Sequence, residues 1–280
     1  MRAGAVILIL LVLAALLAPL ILPEPDTLDL AARFAPPSPD HPLGTDELGR
    51  DLASRLLHGG RISLAVALTT ALLAAVIGTI VGLLAGYHGG LADTALMRLT
   101  DGVMALPLLP LLIVLAAADP AKLGIPPDAM TSEGFAVGRL VVIIACVGWT
   151  TVARLVRAST LSVRARDYVR AAVAVGASPS RIMLRHILPN IASPIVVATT
   201  LSVGNIILIE SALSFLGLGI RPPLASWGNM LTGAMDVVWS APTLAIWPGA
   251  AIFLTVIAFN LLGDGLQKSL TSTSRRSDAR

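Results

Sequence analysis

The sequence predicts an all-α integral membrane protein, a bundle of six membrane-spanning helices with one helical loop projecting from it. Three observations carry this. Apolar residues make up 55% of the chain and charged residues only 13%, too few to cover a water-facing surface. Six apolar runs meet or approach the roughly twenty residues that a helix needs to cross a hydrocarbon core. Between the fourth and fifth runs lies a polar, arginine-studded segment with its own helix start and stop signals.

The first run, Ala3 to Leu22, follows a lone Arg2. It is longer than a signal-peptide core, and Pro19 and Pro23 interrupt any small-x-small cleavage pattern, so it reads as an uncleaved first span. Residues 23–61 form an external loop rich in acids from Glu24 to Asp51. The second span, Ile62 to Tyr87, carries Gly78, Gly82 and Gly86 at four-residue spacing, a nearly bare backbone face that invites another helix. The third, roughly Leu99 to Ala118, holds Pro107 and Pro110, which kink or end a helix. The fourth runs from Ala136 to Leu161, the fifth from Ile191 to Leu216 and the sixth from Leu244 to Leu262. Pro194 and Pro248 are further kink positions in the last two. Residues 62–264 are thus the core, with a loop at 162–190, and residues 265–280 are a tail.

Lysine and arginine placement sets the orientation. With both termini inside, the cytoplasmic segments hold thirteen basic residues, among them Arg164, Arg166, Arg170, Arg181, Arg185 and Arg280. The opposite side holds seven, from Arg33 to Arg221, so the loop at 162–190 faces the cytoplasm. The net charge is only +3 and the basic residues flank apolar spans, which assigns the chain to lipid and not to nucleic acid.

Within the loop, Tyr168, Ala171, Ala172, Val175 and Ile182 can form one apolar side of a short helical pair. Gly176 supplies a helix end, Ser178 with Pro179 a restart, and Pro189 a second end. Small residues at Ala171, Ala172 and Gly176 would let this helix lie deep in a groove on another protein. A plain tether between spans has no need of some twenty ordered residues.

Further residues complete the reading. A nucleotide-binding loop needs Gly-Lys-Ser or Gly-Lys-Thr, whereas Lys122 follows Ala121 and Lys268 follows Gln267. His41, His58, His88 and His186 have no metal-ligand spacing, and Cys146 lies inside an apolar run as a small packing residue. Glu210 stands beside an apolar run, where it is either a path-lining or gating contact, together with Ser214, or an interhelical hydrogen-bond partner. Trp227, Trp239 and Trp247 read as interfacial anchors, and Asp101, Asn260 and Asp264 as capping or hydrogen-bonding residues near span ends.

The loop resembles the cytoplasmic motif of bacterial ABC importer permeases, Glu-Ala-Ala, three residues, Gly, nine residues, then Ile-x-Leu-Pro. Ala171, Ala172, Gly176, Leu188 and Pro189 match, while Arg170 and His186 replace the Glu and the Ile. His41 to Asp51, Glu210 to Gly219, Pro222-Pro223, Ser226-Trp227-Gly228 and Phe259 to Asp264 resemble the dipeptide, oligopeptide and nickel branch, and the chain looks like its C-type subunit. The resemblance implies a type I permease bundle in a bacterial inner membrane, with no catalytic residues and no cofactor of its own. ATP would be bound by two cytoplasmic ABC ATPase subunits, coupled through Tyr168, Arg170, Ala171, Ala172, Gly176, Ala177, Ser178, Arg185, His186, Leu188 and Pro189. It further implies a second homologous permease in a heterodimer, an external solute-binding protein, and a cargo of peptides or a related solute such as a nickel chelate.

Overall fold

A computed structural model of the chain describes residues 2–130 and 132–277, and Arg280, counted above among the cytoplasmic basic residues, lies outside them. The helices, in order, are α1 Arg2–Ile21, α2 Leu52–His88, α3 Gly90–Ala105, α4 Leu108–Ala117, α5 Pro127–Met130 and α6 Glu133–Arg164. Then follow α7 Asp167–Ala174, α8 Pro179–Arg181, α9 Leu188–Phe215, α10 Trp227–Met235 and α11 Thr243–Ser277. Among the described residues five helical stretches are long and apolar enough to cross a membrane, and α3 with α4 makes a sixth span bent by 88°.

That bend corrects the single third span. Pro107 has no N–H and forces its predecessor out of the helical region, so Leu106 is extended (φ −77°, ψ 138°) and α4 starts afresh. Alone, α4 has ten residues, about 15 Å of helix, too short to cross. Arg139 on α6 closes its far end, donating to the carbonyls of Ala116 and Ala118. The second span is also longer than its apolar run. Asp51 caps α2 by accepting from the Ser54 amide at 2.6 Å, which draws the last ten residues of the expected external loop into the helix.

The bundle is organised around α2 and α6. A Cβ on Gly78 would come within 2.6 Å of the Trp149 carbonyl oxygen, and one on Gly82 within 2.4 Å of that of Ala153. The two backbones therefore touch along the glycine face, the seam that the sequence advertised. Two ion pairs tie α3 to the same helix. Arg157 meets Asp93 through both carboxylate oxygens at 2.5 and 2.6 Å, and Arg154 meets Asp101 at 2.6 Å. Cys146, expected inside a packed run, lies on an exposed face of α6.

At the end of the bundle where α2 begins, residues 23–51 fold into a compact cover. Buried Asp46 accepts from the amides of Leu48 and Arg50 and holds Arg50 Nε at 2.7 Å. Arg55, also buried, spans Asp46 at 3.4 Å and Asp26 at 3.1 Å. Each buried charge is thus paired, the condition under which it is tolerated.

Candidate functional site

The loop between α6 and α9 begins where α6 ends at Arg164, with Asp167 in the first turn of α7 opposing the helix dipole. Two backbone bonds close α7, from Ala177 N to Ala172 O and from Gly176 N to Val173 O, both 3.0 Å. This is a Schellman ending, and its left-handed residue is Gly176 at φ +82°, where a side chain would be strained. Ser178 and Pro179 then start α8 as expected.

Pro189 does not end the next helix. From Pro179 the chain stays helical to Phe215, and residues Ile182–Ile187 widen into a π-helix with Leu188 N bonded to Met183 O. A proline cannot donate to the carbonyl four residues back, and the wider turn accommodates the gap. Asn190 contributes, its Nδ2 donating to His186 O at 2.7 Å.

The apolar residues of the loop divide between two faces, which corrects the single apolar side. Val169, Ala172, Ile182 and Ile187 are buried against Leu83 of α2 and Val152 and Val156 of α6. Ala177 and Leu188 pack at the edge of that cluster. Tyr168 (45% exposed), Ala171, Val173 and Val175 (85% exposed) face outward with Gly176 and Leu184. Ala172 is therefore an anchor of the loop on its own bundle, not a small residue offered to a neighbour. Arg170, Ser178, Arg185 and Pro189 are exposed, and His186 is half-buried. Arg170 comes only within 4.0 Å of exposed Asp167, a contact worth little in water. One further contact ties this end together, Arg164 lying 5.6 Å above the Tyr87 ring.

Glu210 and Ser214 belong elsewhere. Both are buried inside the subunit, at 0% and 1% exposure, and Ser214 touches the wall of a cavity of about 250 Å³ that Arg50, Arg221 and Asn229 also line. The Glu210 carboxyl accepts from Ser214 Oγ at 2.8 Å and from Ser63 Oγ of α2 at 3.1 Å, with Ser211 Oγ at 3.4 Å. The serines are themselves held by backbone, Ser214 by the Ile220 amide at 3.0 Å and Ser63 by the Trp227 amide at 3.2 Å. Each hydroxyl keeps its proton for the carboxyl while accepting an amide, so the knot joins α2, α9 and the start of α10. Ser226 caps α10 in a reciprocal box with Asn229.

Trp227 is part of the same knot and is not an interfacial anchor. It is buried, donating from Nε1 to Leu56 O at 2.9 Å with its indole against Gly60. Trp239, by contrast, is 98% exposed. Sequence reasoning missed Ser63 and Ser226, since nothing local in a serine shows which carboxyl it will meet. The signal available was that Glu210 to Gly219 and Ser226 to Gly228 stand out together.

Comparison with known proteins gives one answer. Residues 78–276 match the family profile described as binding-protein-dependent transport system inner membrane component. A Brucella suis (biovar 1, strain 1330) protein provisionally named a peptide permease is 41% identical over 267 residues, covering 94% of this chain and 84% of that one. A glutathione transport system permease protein of Pectobacterium atrosepticum is 40% identical over 234 residues, 84% of this chain and 73% of its own length. Among solved structures, an inward-facing methionine ABC transporter aligns at TM-score 0.58 and 19% identity, covering 76% of this chain and 95% of that one.

Proposed function

The chain belongs to the family of binding-protein-dependent transport system inner membrane components and is a permease subunit of an ABC importer, and from this we propose that its loop 167–190 brings ATP-driven motion into the bundle. The observation that carries the proposal is the two-faced loop. Val169 and Ala172 fix α7 to the ends of α2 and α6, while Ala171, Val173 and Val175 offer an unfilled apolar surface beside Arg170 and Arg185. A helix anchored on one side and open on the other passes a push from a docked protein straight to two spans. The docked protein is a cytoplasmic ABC ATPase, one of two, which binds the ATP that this chain has no loop to hold.

Both termini then lie in the cytoplasm, as the basic residues ask. A second, homologous permease completes the path in a heterodimer. It meets this chain on the apolar groove of about 670 Å³ between α2 and α9, lined by Leu72, Val76, Thr79, Val196 and Thr200. An external binding protein delivers the solute, and the names of the relatives support peptides, glutathione among them, as cargo.

Ala171→Trp tests the coupling role, because Ala171 is exposed on α7 and the indole leaves the bundle untouched. In the purified assembly with its ATPases, second permease and binding protein, solute-stimulated ATP hydrolysis is expected to fall at least tenfold. Unchanged stimulation, with the variant incorporated normally, would remove the loop from the coupling path.

A further inference from the structure

A cavity of about 630 Å³ opens between the outer halves of α1 and α2, and its lining divides by depth. Toward the membrane centre it is apolar, with Val12 and Leu16 of α1 and Ile62 and Leu68 of α2. Its rim carries Asp26, His58, Arg61 and Glu133. The division falls between Arg61 and Ile62, where the apolar run of the second span begins. The cavity therefore straddles the boundary between hydrocarbon and headgroups.

Two of the four rim groups are already engaged. Asp26 receives Arg55 at 3.1 Å, and His58 Nδ1 lies 2.9 Å from the Ser54 carbonyl, to which it must donate. Arg61 and Glu133 differ, since among the described residues neither has a hydrogen-bond or ion-pair partner, not even the other. Arg61 is exposed on this rim, which leaves its guanidinium open to an anionic group, and a phosphodiester is the anion the bilayer supplies at the level of its headgroups. Glu133 on the same rim repels a headgroup that carries only negative charge and favours one that also bears an ammonium. Below, the apolar wall of Val12, Leu16, Leu64 and Leu68 offers a track for an acyl chain within the cavity itself.

We propose that this cavity holds one zwitterionic aminophospholipid, its phosphate on Arg61, its ammonium on Glu133 and a chain along Leu16 and Leu68. The leaflet that supplies it is the outer one if both termini are cytoplasmic, as proposed above. Protease access to the termini tests that orientation separately, and the site does not depend on it.

The test is native mass spectrometry of the intact assembly taken from equimolar phosphatidylethanolamine, phosphatidylglycerol and phosphatidylcholine. Phosphatidylethanolamine is expected to be retained preferentially at this subunit. Arg61→Ala is expected to lower its retention about tenfold, the loss of one charged hydrogen bond, with Arg61→Lys restoring most of it. Glu133→Gln is expected to shift the preference toward phosphatidylglycerol. Equal retention of all three lipids, or indifference to all three variants, overturns the proposal. So does displacement of the lipid by a transported dipeptide, which would put the cavity on the solute route. Retention by the lone chain but not by the assembly also overturns it, since the second permease would then cover the opening.

Discussion

Removing the Glu210 carboxyl separates a structural knot from a gate. Glu210→Ala deletes the acceptor for Ser214 at 2.8 Å and Ser63 at 3.1 Å, while Ser214 and Ser63 keep their amides from Ile220 and Trp227. The loss is thus these two close hydrogen bonds, a third and longer one from Ser211 at 3.4 Å that adds little, and a small cavity in a fully buried place. Bonds to a charged group contribute about 1.5–3 kcal/mol each in soluble proteins. Interhelical bonds within membranes average only about 0.6 kcal/mol. Two such bonds bracket the cost between about 1 and 6 kcal/mol, and a middle value of about 3 kcal/mol shifts an equilibrium by roughly 150-fold. Equilibrium unfolding of the purified subunit in mixed micelles of increasing SDS reads this as an earlier midpoint. Glu210→Gln is expected to fall between wild type and Ala, because its amide group presents hydrogens where the hydroxyls also present theirs. A Glu210→Ala variant that unfolds with the wild type yet carries a different range of solutes would refute the reasoning and return the residue to the path.

Two further outcomes follow from the same packing. Val169→Asp puts a carboxylate into the buried cluster and is expected to destabilise the lone permease by several kcal/mol; Val173→Asp, on the outward face, is expected to leave it stable and weaken ATPase recovery in pull-down. The bidentate Asp93–Arg157 pair predicts that Asp93→Arg and Arg157→Asp each lower the thermal midpoint and that the double variant recovers much of the loss, measured as a double-mutant cycle.

How much of this was legible depended on range. Spans, seam and caps are local, and their signals were sufficient: Gly78, Gly82 and Gly86 meet α6, Gly176 ends α7 and Pro179 restarts the chain. The broken third span was half-legible, since Pro107 announced a kink but not its 88°. What failed were inferences about which way a residue faces. Ala172 and Ala171 are neighbours of like chemistry, and only the position of α2 and α6 makes one an anchor and the other a surface. Trp227 looked like a tryptophan at an interface because its partners, Leu56 and Ser63, lie more than 160 residues away in sequence. Pro189 was read by its usual effect, and the π-turn that absorbs it leaves no mark in composition.

That π-turn also fixes a phase. In an α-helix residues five apart point about 140° apart, but a turn of roughly 4.4 residues brings them within about 50°. Ile182 and Ile187, five apart, are both buried on one side, and Ile191, four further on, continues the row. Six residues there do the turning of five. Removing one from Ile182–Ile187 would restore ordinary winding, with four α steps leaving an offset of about 40° where five π steps leave about 50°, so α9 would keep its phase against the loop that drives it. The stretch between Pro179 and Pro189 thus tolerates the loss of its one surplus residue, whereas a second loss would turn the whole span by about 100°.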